Sequence, residues 1–114
     1  MKTDVQPRAV TTVYLSDLRR EVFRGSVPVL LVFLHQELEY KEQLEAVENI
    51  ARRYGAALKV CLAAQEDLET IGEANHTTGT PAFLFFRQGK EKGRLLGQAD
   101  EAGLLVFIDR SLGE

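Results

Sequence analysis

The chain is expected to form a single α/β domain over residues 1–114, with a central mixed sheet of four or five strands and helices on both faces. Three features predict this. The run from Val29 to Leu34 is continuously apolar, as in a strand covered on both sides. Strand-like and helix-period stretches alternate along most of the chain, the order that gives parallel pairing. The stretch "PAFLFFRQGKEKGRLLG" then holds two strand-like runs around a short turn, which adds an antiparallel edge.

In order along the chain, "AVTTVYL" is rich in β-branched residues and reads as the first strand. Ser16 follows as a candidate N-cap, with Asp17 in the first turn, Leu18, Val22 and Phe23 at helical spacing, and Gly25 as a stop. After the central strand, the residues from Leu38 to Tyr54 carry Leu44, Val47, Ile50, Ala51 and Tyr54 along one helical stripe. Glu42, Glu45, Glu48, Arg52 and Arg53 fall largely on the other side, a solvated face, and Gly55 ends the helix. "AALKVCLAA" reads as a third strand, and "EDLETIGEANH" as a shorter helix interrupted by Gly72. Two strands follow with a turn at Gln88 and Gly89, and Asp100 caps a last helix through Leu104, Leu105, Phe107, Ile108 and Leu112.

Composition narrows the classes of function. With 17 acids against 14 bases the formal net charge is -3, so the chain has no basic footprint for nucleic acid or an anionic membrane. Its one cysteine, Cys61, excludes an intrachain disulfide and a Cys-x-x-Cys pair. "MKTDVQPRAV" lacks the apolar core of a signal peptide, and "VPVLLVFL" is too short to span a bilayer, so a soluble cytoplasmic protein is expected.

At "TTGTPAFLFFRQGKEKGRLLG" the chain resembles thioredoxin. Gly79, Thr80, Pro81, Arg87, Gly89 and Gly97 stand at the spacing of that family's Gly-x-Pro step, basic residue, turn glycine and final glycine. "VPVLLVFL" resembles the family's central strand, "ENIARRYG" the end of its long helix, "LKVCL" the next strand and "LLVFIDRSL" the last helix, so the likeness covers nearly the whole chain. It implies a thioredoxin-like fold with a cis Thr80–Pro81 bond.

The resemblance fails where thioredoxins do their chemistry. Their Trp-Cys-Gly-Pro-Cys segment lies where the central strand meets the long helix, here "HQELEYK". Counting forward from Phe33 puts the cysteine positions at Leu38 and Lys41, and counting back from Tyr54 puts them at Glu37 and Tyr40. Disulfide exchange needs one thiolate to attack and a second thiol to resolve, and neither is present. The family's buried aspartate and its lysine on the following strand are matched by Val32 and Leu62. Cys61 lies mid-strand, where a cysteine acts as a small hydrophobe.

The resemblance leaves a peptide-accepting groove made of Leu38, Glu39, Tyr40, Thr80, Pro81, Gly97 and Gln98. The expectation is a redox-inactive binding module, assembly factor or chaperone for another polypeptide, with no catalytic residue, cofactor or metal. His35 and His76 match no short metal-ligand spacing, and Glu37, Glu39, Glu42 and Glu45 alternate with Lys41 as a solvated face. One alternative is a thiol-dependent oxidoreductase using Cys61 or a partner thiol. Another is a homodimer joined through the acidic helix tip or a sheet edge, with no client.

Overall fold

A computed structural model of the chain describes residues 9–36 and 40–113. Among these, five strands form one sheet: β1 (Val10–Val13), β2 (Val29–Phe33), β3 (Lys59–Ala63), β4 (Ala82–Arg87) and β5 (Lys90–Leu96). Their order across the sheet is β1-β3-β2-β4-β5. β3 runs parallel to both β1 and β2, whereas β4 is antiparallel to β2 and to β5. The expected mixed α/β sheet with an antiparallel hairpin is therefore present.

Three α-helices accompany it among the described residues: α1 (Tyr40–Tyr54), α2 (Leu68–Ala74) and α3 (Glu101–Leu112). The side-chain period of two in β2 sorts the core into two layers. Leu30, Val32 and Leu34 pack with Val47 and Ile50 of α1 and Leu104 and Ile108 of α3. Val29, Leu31 and Phe33 pack on the opposite face with Ile71 of α2 and with Leu18 and Val22. All five residues of β2 are buried, which is why the run carries no polar residue.

The turn chemistry accounts for two of the boundaries. Gln88 and Gly89 both have positive φ, 53° and 78°, the pairing that matches a two-residue hairpin to the twist of its strands. The Asp100 carboxylate accepts the Gly103 N–H at 2.8 Å, capping α3 as the sequence predicts.

Two elements differ from expectation. The segment after β1 is not one helix capped by Ser16: a 3-10 turn spans Leu15–Asp17 and a π-helical turn spans Arg19–Phe23. It starts early because carboxylates reach its first amides, Asp17 taking the Tyr14 N–H and Asp67 the Leu15 N–H. The wider winding brings Leu18 and Phe23, five residues apart, towards the same sheet face, where Phe23 meets Phe86 edge to face at 5.3 Å. Gly72 does not interrupt α2. It is buried within the helix, donates nothing to a break, and lets the Thr77 carbonyl come within 3.2 Å of where a Cβ would stand.

No helix among the described residues is long and apolar enough to cross a membrane.

Candidate functional site

The C-terminal end of β2 delivers the chain to the place where the thioredoxin resemblance puts the cysteine pair. Glu37, Leu38 and Glu39 lie outside the described residues. The approach to them is held from β3's side: Gln65 donates from its amide to the Leu34 carbonyl at 2.7 Å and accepts the Gln36 N–H at 3.1 Å. Tyr40 opens α1 half-buried against the core layer under α1 and α3, so part of its ring is already spent on packing.

The residues that the resemblance matches to a thioredoxin's proton-moving pair are aliphatic and buried. Val32 and Leu62 are register partners on neighbouring strands, with relative exposures of 0% and 9%. Cys61 lies in the opposite core layer, and burial pushes its thiol up to about 12. At neutral pH it is held as the unreactive thiol.

Opposite that junction, the Thr80–Pro81 bond is cis, as the resemblance implies. The Pro81 carbonyl accepts the Gly97 N–H at 2.8 Å, so these two predicted site residues meet directly. Gly97 has φ of 96°, a backbone setting open chiefly to glycine, although a Cβ there would meet nothing within 4 Å. Thr78, Gly79 and Thr80 are exposed, and among the described residues their backbone groups enter no hydrogen bond. They offer free donors and acceptors to an incoming chain.

Two clefts divide the predicted residues, one on the wall and one on the α1 and α3 side of the sheet. Thr80 lines a cleft of about 650 Å³ with Phe33, His35, Leu68, Glu69, Glu73 and Thr77. Gln98 instead lines a cleft of about 780 Å³ between α1 and the start of α3, together with Glu42, Glu45 and Asp100. At the second cleft the buried Gln43 side chain donates to the Ala99 carbonyl at 2.7 Å and accepts its N–H at 3.0 Å, pinning the β5–α3 connection to α1.

Two residues passed over in the sequence stand near the Thr80 wall without lining its cleft. Leu96 is 63% exposed and pairs with Ala82, whose side chain faces the α2 layer, so it stands beside Pro81 on the Thr80 side of the sheet. Arg94, two residues earlier on the same face, donates to the His76 and Asn75 carbonyls at 2.8 and 2.9 Å and grips Glu91 through Nε–H and an Nη2–H. It fixes the end of α2, from which the Thr77–Thr80 wall begins. The order of "EKGRLL", charged residues followed by two leucines, marks neither of them.

His35 lines the Thr80 cleft and His76 sits at the end of α2 with φ of 58°. No group of three or more His, Cys, Asp or Glu able to hold a metal occurs among the described residues. Compared with models of known families the chain has no match, and no curated protein is significantly similar to it in sequence.

Proposed function

We propose that this chain is a redox-inactive, thioredoxin-like cytoplasmic protein that binds an extended segment of another polypeptide, as a binding module, assembly factor or chaperone. The observation that carries the reading is the Thr78–Thr80 wall: three consecutive exposed residues without backbone partners among the described residues, beside an open cleft and the exposed Leu96. An extended segment laid along such a wall gains main-chain hydrogen bonds, and neighbouring pockets select its side chains. Support for the lack of turnover comes from Cys61, sealed in the core as a thiol, and from the aliphatic pair Val32 and Leu62.

The test is capture of co-purifying chains from the source cells, repeated with Thr80→Arg. The long charged side chain crowds the wall, so the reading expects the client to be lost while the fold is kept. Capture indifferent to Thr80→Arg removes the wall from the binding surface. Insulin-disulfide reduction above the dithiothreitol background that vanishes in Cys61→Ser overturns the non-enzymatic reading.

A further inference from the structure

We infer that the Thr80 wall is the middle of a longer binding surface across the end of the sheet. It takes an extended polypeptide segment carrying two apolar side chains about six residues apart, one seated on Leu96 and the other on Tyr14 and Leu15. This rests on the polypeptide-binding reading and names the side chains its partner presents.

The first observation is where the exposed apolar residues stand. Tyr14, Leu15, Val27, Leu96 and Val106 are the large hydrophobics exposed among the described residues. Tyr14, Leu15 and Leu96 lie at one end of the sheet, the first two just past β1 and the third as the last residue of β5. The registers pair Val13 with Ala63, Val32 with Leu62, Phe33 with Ala82 and Ala82 with Leu96, so the two edge strands finish level with each other. Between them come the ends of β3 and β2 and the start of β4, where Thr80 and Pro81 enter the sheet. The wall thus has an apolar shelf on either side of it.

The Tyr14–Leu15 shelf is fixed in place. The Tyr14 N–H is accepted by the Asp17 carboxylate at 3.4 Å and the Leu15 N–H by that of Asp67 at 2.8 Å, while the two residues stay 41% and 43% exposed. Apolar side chains presented from a fixed backbone lose little freedom when a partner covers them.

The second observation is continuity. Gln65 and Leu68 line the Thr80 cleft, and Asp67, between them in the chain, is the residue that holds Leu15. The cleft of about 650 Å³ therefore leads from the wall towards the Tyr14–Leu15 shelf. The main-chain groups of Thr78, Gly79 and Thr80, without hydrogen-bond partners among the described residues, match another backbone in extended form. The span then sets the spacing. Four interstrand steps separate β1 from β5, about 19 Å, which a chain rising about 3.3 Å per residue covers in about six residues. An even separation puts both side chains on the same side of the segment.

The experiment is selection from a phage-displayed library of random peptides of about twelve residues against the intact protein, followed by fluorescence anisotropy on a synthetic selected peptide. Pairs of apolar residues about six apart are expected above their frequency in the starting library. Replacing either one by alanine should weaken binding about tenfold, and inserting one glycine between them should cost as much, because it turns one side chain to the far side. In Leu15→Ser one of the two alanine changes should lose its effect, falling to about twofold or less, and in Leu96→Ser the other should. Circular dichroism checks that both variants keep the fold.

Selected peptides that lack such a pair, or whose affinity ignores Leu15→Ser or Leu96→Ser, overturn the inference, and the polypeptide reading stands if Thr80→Arg abolishes their binding. A dimer seen by light scattering that either serine variant dissolves gives the shelves to a second copy and overturns the inference too. Failure to enrich any peptide overturns both.

Discussion

Val32 and Leu62 lie side by side in register on parallel neighbouring strands, both inside the core layer beneath α1 and α3. The positions that the thioredoxin resemblance matches to an aspartate and a lysine are a hydrophobic pair, closed to water. A charge introduced there meets neither solvent nor partner, so Val32→Asp should destabilise the fold by about 3 kcal/mol or more. Urea denaturation at pH 7 measures this. A Val32→Asp protein as stable as the parent shows that water or a counter-charge reaches the position.

Cys61 gives a second expectation. With its thiol pushed up to about 12, only about one molecule in ten thousand carries thiolate at pH 8. Iodoacetamide labelling should be slow in the native protein and fast in denaturant. The sign of the stability dependence follows: above the pKa of the unfolded thiol the unfolded chain releases a proton that the folded chain keeps, so stability falls as pH rises from about 9 towards about 12. Cys61→Ala should flatten part of that decline.

Glu21 contributes to the acid limb: its carboxylate receives the Lys59 ammonium and then Arg20 and is held below the usual range by them. A lowered carboxyl pKa stabilises the fold above the unfolded pKa, and this contribution disappears as pH falls through the folded value. Glu21→Gln should cost about 0.5–1 kcal/mol at pH 7, with the difference from the parent shrinking on acidification. Parallel thermal melts from neutral to acidic pH check it.

The sheet was legible because its signals are local. An unbroken apolar run gives β2, Gln88–Gly89 gives the hairpin, and Asp100 gives the start of α3; each depends on a few neighbouring residues. The winding of residues 15–23 was not legible, since it follows from carboxylates at Asp17 and Asp67 and from the fit of Leu18 and Phe23 to the sheet. Gly72 reads as a helix breaker until the Thr77 carbonyl is seen against it. At the candidate site the cis Thr80–Pro81 bond and the positive φ of Gly97 occur where the thioredoxin resemblance leads one to expect them. Gln43 and Arg94, which pin the connections on either side, act across 56 and up to 19 residues and leave no local pattern.

Gly89 and Gly97 separate two reasons for glycine. At Gly89 φ is 78° and a Cβ would stand 2.7 Å from the Phe23 carbonyl oxygen, a backbone atom that cannot swing aside. At Gly97 the φ of 96° is the sole constraint. Alanine should therefore cost about 1–2 kcal/mol at Gly97 from backbone strain alone, and more than that at Gly89. Equal losses at the two positions, measured by urea denaturation, would show that the π-helical turn carrying Phe23 yields easily.

Arg94 links stability to the proposed site. Its guanidinium bonds the last carbonyls of the α2 end from β5, while Glu91 holds the fork in place. Arg94→Met keeps the apolar stem and removes every one of these hydrogen bonds, leaving the Asn75 and His76 carbonyls to water. The expected loss of global stability is modest, about 1–2 kcal/mol. The local effect should be larger in kind: the Thr77 amide, which the Gly72 carbonyl accepts at 2.9 Å, should exchange hydrogen faster than in the parent, because the wall hangs from the turn that Arg94 fixes. Arg94→Lys should restore little, since a single ammonium cannot reproduce a planar fork that serves two carbonyls and a carboxylate together. Exchange of the Thr77 amide unchanged in Arg94→Met would mean that α2 and the Gly72–Thr77 contact hold the wall by themselves.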